Sequence, residues 1–182
     1  MRLEINAQGI SDLSREFSDV KPKQINLALA RALNRVAALT KTKSKRAIGA
    51  QVALADRFIG GKLTLDKARS NHLQAVIRTP KRGLALAKYK HAQAFKRGRG
   101  NKKKQAGVRV TVKRGASKVI KRAVLARGQI KLFYQGKLRT LYGPSVSQVW
   151  NKTREQIKPE ITYDMDAIAA EELRFILTGE RH

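Results

Sequence analysis

No cysteine occurs among the 182 residues, so neither disulfides nor thiolate metal sites hold this chain together. Aromatic residues make up only 5% of it, so an apolar core has to be built from Ala, Leu, Ile and Val. Nowhere is there an uninterrupted apolar run of about 18 residues, the length a membrane-spanning helix requires. The opening Met1-Arg-Leu-Glu-Ile-Asn has no apolar h-region. The sequence therefore predicts a soluble protein, neither exported nor inserted in a membrane. The absence with the largest consequence is that of acid. Between Lys67 and Arg154 there is no Asp or Glu, and these 88 residues hold 25 of the 40 Lys and Arg. The net charge of +27 is thus concentrated in the middle of the chain, where no carboxylate nearby in sequence can neutralise it. An external polyanion, nucleic acid first, is the expected source of counter-charge.

What is present predicts an α+β protein, a single domain over residues 1–182. The expected architecture is a mixed or mainly antiparallel sheet of four to six strands, one long helix in the N-terminal half and a C-terminal amphipathic helix. Leu3 and Ile5 alternate as in a short strand, and Ile10, Leu13 and Phe17 have the spacing of a short helix beginning near Ser11. Pro22 sits where a first helical turn tolerates it, and no breaker follows from Lys23 to Ile48. Ile25, Leu29, Leu33, Val36, Thr40 and Ala47 form one stripe along that helix, widened by Ala28, Ala32 and Ala37. From Lys21 to Ala50 the helix carries bases but no acid, so the usual Glu to Lys pairing at i,i+4 is missing.

Gly60-Gly61 reads as a turn, Leu73 to Arg78 as a strand, and Gly83 to Tyr89 as another. Phe95 to Ala106 combines glycines with Lys96, Arg97, Arg99, Lys102, Lys103 and Lys104, which predicts a flexible basic loop. Val108, Val110 and Val112 alternate with polar residues as in a half-buried strand, and Val119 to Ala126 is expected to pair next to it. Ile130 to Tyr142 reads as a hairpin turning at Gln135-Gly136. Gly143, Pro144 and Ser145 end the sheet, with Ser145 as N-cap of a short helix to about Lys152. Beyond Pro159, Ile161, Met165, Ile168, Ala169, Leu173, Ile176 and Leu177 line one face of the C-terminal helix, and Asp164, Asp166, Glu171 and Glu172 the other. The two helices are expected to meet through Ala28, Ala32, Leu33 and Val36 on one side and Ile168, Leu173 and Ile176 on the other. The acidic face is expected to meet basic surface on a neighbouring subunit.

No enzyme is predicted: there is no catalytic, cofactor or metal constellation. His72, His91 and His182 lack metal-ligand spacing, no Gly-x-Ser-x-Gly elbow occurs, and the acid-free centre lacks the carboxylates of a two-metal site. Aromatics for stacking on bases are nearly missing from the basic run, so contact to phosphates is favoured over base reading.

The segment Ala28-Leu-Ala-Arg-Ala-Leu-Asn-Arg-Val-Ala37, with its small-residue face, and the later Arg139-Thr-Leu-Tyr-Gly-Pro-Ser-Val146 resemble the minor tail protein Z family of lambda-type tailed phages. Length, element order and basic character agree over nearly the whole chain, although Ala123 to Gly128 lacks an aromatic associated with the family there. The resemblance implies a structural virion protein that completes the head-proximal end of a long non-contractile tail. It would be assembled in the host cytoplasm and located at the neck. Its implied partners are the tail terminator or other neck and tail-tube proteins and further copies of itself in a closed hexameric ring; the six bases of residues 96–104 are expected, on their charge, to face packaged DNA. The competing class on composition alone is a non-sequence-specific nucleic-acid-binding protein of ribosomal or nucleoid type.

Overall fold

The computed structural model describes residues 2–6, 21–98 and 102–178. The helix expected from Ser11 lies outside them, as does Arg99. Among the described residues two long helices dominate, α1 over Pro22–Gln51 and α3 over Val146–Thr178, with a short α2 over Asp56–Lys62. Strand β1 spans Arg2–Asn6, β2 Thr64–Asp66 and β3 Gln74–Arg78, and they form one sheet in the order β1-β3-β2. Strand β4, Leu84–Ala85, pairs with β11, Tyr142–Gly143. A sheet in the order β5-β6-β7 is made by Lys90–Arg97, Lys103–Lys113 and Ala116–Lys121. The last sheet, β10-β9-β8, is made by Ala123–Ala126, Gln129–Tyr134 and Lys137–Thr140. Among the described residues every strand pairing is antiparallel. The α+β class with a long helix and a C-terminal helix is what the patterning predicts. The strands, however, are distributed over several sheets of two or three, in place of one sheet of four to six.

Helix α1 buries Ala28, Leu29, Ala32, Leu33, Val36, Ala37 and Thr40 as expected, and the buried line continues through Ser44 and Ile48, with Ala47 half-exposed beside it. Its small residues let α3 come close. The two helices run antiparallel, because Trp150 Nε1–H donates to Ser44 Oγ at 3.1 Å near one end while Arg35 meets Glu171 near the other. Two apolar clusters result. Leu29, Leu33, Val36 and Ala37 pack with Ala68, Ala75, Ile168 and Ala169. Ile48 joins Ile59, Ile77, Tyr89, Val108, Ile130 and Trp150 beneath the sheets.

Three local expectations are corrected. Gly60 and Gly61 are helical in α2, where burial of Ile59 offsets a propensity cost of about 1 kcal/mol per glycine. Leu86–Lys88 is a 3₁₀ turn, so only Leu84–Ala85 of the Gly83 to Tyr89 stretch is strand. Pro159 lies inside α3, which unites the expected short helix after Ser145 with the C-terminal one. Its ring removes the hydrogen bond to the carbonyl of Glu155, but buried Ile157 before it and Ile168 and Ala169 after it hold both halves in place. Leu173 and Ile176 lie in this helix, with side chains outside the described ones.

Candidate nucleic-acid interface

The predicted basic loop is largely a hairpin. Lys96 and Arg97 belong to β5, Lys103 and Lys104 to β6, and Lys96 pairs with Lys104 and Arg97 with Lys103. A run of like charges punctuated by glycine looks like a loop to any pattern of local propensity, because strand pairing is fixed from elsewhere. Here it is fixed at the root. Ala53, just past α1, donates its N–H to Val112 O at 2.9 Å and accepts from Lys90 N–H at 3.3 Å, while Arg114 N–H donates to Gln51 O at 3.1 Å. The helix end therefore clamps both strands of the ribbon, and buried Val108 and Val110 seat it on the core.

Beyond Gly107 the third strand is gone, since β7 ends where Lys121 pairs with Gly107. From there a two-stranded ribbon projects, about 14 Å from Gly107 to Lys103 at roughly 3.4 Å per residue. Lys96, Lys102, Lys103 and Lys104 are exposed on it. Like charges directly opposite one another destabilise an antiparallel pair, and two strands alone are marginal in water. The Lys96–Lys104 pair thus sets like charges opposite one another, a repulsion that a bound anion would relieve.

Register separates the side chains into two faces. Arg97 and Lys103 share one face with Phe95, and with Arg109 they line a groove of about 490 Å³. Lys104 borders a second groove of about 450 Å³, lined also by Lys121, Arg122 and Lys96, the last of which borders the first groove as well. Lys121 and Arg122 were not singled out from sequence, where they lie 17 and 18 positions past Lys104. Only the β6–β7 register brings them back beside it. Among the described residues no group of three or more His, Cys, Asp or Glu is placed to hold a metal ion.

Two acids of α3, Glu171 and Glu172, meet a base of α1. Arg35 Nη1–H donates to Glu171 Oε2 at 2.8 Å and lies 3.7 Å from Glu172 Oε1. The hydrogen bond to Glu171 is the main reason the Arg35 guanidinium is held above its ordinary range. Within the chain, then, Glu171 and Glu172 already have a cation beside them in Arg35.

Both stretches that carry the family resemblance have physical work in the fold. In the first, Leu33 and Val36 are fully buried. Asn34 Nδ2–H donates to Ala68 O at 3.0 Å while its Oδ1 accepts from Ala68 N–H at 2.8 Å, tying the loop before β3 to the helix. In the second, Gly143 lies against the Tyr89 ring, whose hydroxyl donates to Pro144 O at 2.5 Å. Ser145 then caps α3 in a reciprocal box: Gln148 N–H donates to Ser145 Oγ at 3.1 Å, and Ser145 N–H donates to Gln148 Oε1 at 2.8 Å.

A family model described as prophage minor tail protein Z (GPZ) matches residues 7–179. No curated protein and no solved structure matches the chain. With the match covering nearly its full length, and with the Leu-Asn-Arg-Val helix and the Gly-Pro-Ser turn both built into the fold, the chain belongs to the prophage minor tail protein Z family.

Proposed function

We propose that this protein, a structural component of the phage tail by its family, completes the head-proximal end of the tail as a closed ring at the neck and meets the DNA of the conduit through its basic ribbon. The observation that carries the DNA part is the ribbon itself: a clamped hairpin presenting Lys96, Lys102, Lys103 and Lys104 to solvent, in a segment without a single carboxylate from Lys67 to Arg154. Such a surface gains most from a dense line of negative charge, and its scarcity of aromatics suits phosphates over bases. A ring suits the charge as well, because copies surrounding a polyanion share counter-charge that no isolated copy can supply.

The test is a micrograph reconstruction of purified virions at subnanometre resolution. The reading requires a ring of this chain where tail meets head, with the β5–β6 ribbon directed inward. Density for the chain at the distal tail tip, or none in the particle, would overturn it.

A further inference from the structure

Resting on the DNA contact just described, we propose that the groove between the β5–β6 ribbon and the β7–β8 corner is a built seat for the phosphate backbone of duplex DNA, with Lys121 and Arg122 as two of its four cations. The groove, about 450 Å³, is lined by Lys96, Lys104, Lys121 and Arg122, which come from β5, β6, the end of β7 and the link to β8. All four are exposed. Four charges gathered from separate strands onto one concave surface repel one another, and the chain supplies no acid between Lys67 and Arg154 to separate them.

The backbone beneath the groove is shaped for this convergence. Gly107 has φ +136°, and a Cβ there would lie 2.1 Å from Ile120 O, so β6 and β7 reach this separation only with glycine. Gly107 is the residue that pairs with Lys121, so the close approach sets Lys121 at the groove wall. The register shift between Ala94 and Phe95 falls at the same level of the ribbon. Arg122, the single residue joining β7 to β8, holds φ at 61°. That left-handed conformation disfavours a bulky side chain. Arg127 and Gln135 share it, but each is followed by a glycine in a two-residue hairpin turn. At the β7–β8 corner the chain places an arginine where a glycine would sit without strain, and strain of this kind gathers where a side chain is needed in place.

The lining also points to phosphate in preference to bases. Phe95, the aromatic of the basic run, lines the other groove with Arg97 and Arg109, and of the four cations only Lys96 borders both. Lys104 and Gly107 are three residues apart on β6, about 10 Å, which gives room for more than one phosphate along the groove.

The experiment is fluorescence anisotropy of the full chain with a random-sequence duplex of about 20 base pairs, titrated across a salt series, with unfolding curves for every variant. For Lys121→Gln with Arg122→Gln, the expected result is about 30-fold weaker binding near 0.15 M salt and a log-log salt slope shallower by about 1.8, the share of two phosphates. Lys96→Gln with Lys104→Gln should give a loss of the same size, and this pair carries the test should the first one unfold early. Unchanged affinity and slope in both pairs, with weakened binding in Lys102→Gln with Lys103→Gln, would overturn the groove and leave the ribbon's contact with DNA standing. Wild-type protein that shows no salt-dependent binding to the duplex would overturn both.

Discussion

Replacing Gly143 by alanine should show how far the Gly-Pro-Ser turn organises the molecule. The added Cβ would lie 2.9 Å from Tyr89 Cε2, closer than real Cβ contacts come, and 3.0 Å from Leu86 Cδ2, tighter than nearly all of them. Tyr89 is only 2% exposed, and its neighbours are the core cluster under the sheets, so the ring has no free space to enter. Overpacking of this kind costs about 1–3 kcal/mol. A displaced ring also gives up the bond from its hydroxyl to Pro144 O, worth about 1 kcal/mol more. A loss of about 3 kcal/mol in urea unfolding follows, with a melting temperature lower by about 6–12 °C for a chain of this size. Tyr89→Phe, which removes the hydroxyl alone, should cost about 1 kcal/mol. Alkaline pH separates the two effects. Burial pushes the Tyr89 phenol from 10.0 up to about 12. The folded state therefore holds this proton where the unfolded state has released it. The stability from the protonated ring is complete below pH 10 and is lost as pH rises toward about 12, and Tyr89→Phe should flatten that alkaline loss. A Gly143→Ala protein within about 0.5 kcal/mol of wild type would refute the close approach of turn and ring.

Other changes test the rest of the frame. Pro159→Ala should stabilise by about 1–2 kcal/mol, restoring the bond to the Glu155 carbonyl against some gain in unfolded-chain entropy; a lower melting temperature would mean that α3 needs its proline. Arg35→Ala should cost about 1–3 kcal/mol, more than its exposed pair with Glu171 would suggest. The reason is that Glu172, whose side chain is 9% exposed with Oε2 lacking a hydrogen-bond partner, loses the cation beside it. A change below about 0.3 kcal/mol would show that pairing to be idle. Leu33→Asp places a charge at a fully buried site between the long helices, at a cost of several kcal/mol, and should leave the protein insoluble or without assembly; wild-type solubility would remove Leu33 from the core.

The elements legible in the sequence are those whose signal is local. The stripe of α1, the Val108–Val110 alternation and the Gln135-Gly136 turn each follow from neighbours within a few residues, and the turn has positive φ at both positions. Ser145 as N-cap was equally plain, because capping is a contact three residues long. What could not be read depends on distant partners. The ribbon of β5 and β6 exists because Ala53, past the end of α1, bonds both its strands, and no propensity window contains that contact. The helix through Pro159 persists because α1 holds it on both sides. Trp150 is 1% exposed and bonded to Ser44, a position that helical periodicity does not mark as polar and buried. The candidate site was half visible. The six bases between Lys96 and Lys104 are a sequence feature, while the addition of Lys121 and Arg122 to them is a matter of register.

The central claim, that the basic ribbon meets DNA in the particle, is tested most directly by photo-crosslinking in intact virions. Virions would carry a crosslinking residue at position 96 or 103, irradiated before any disruption of the particle. The account predicts adducts between the chain and packaged DNA at both positions. Adducts to protein alone, from particles that still hold their genome, would contradict it.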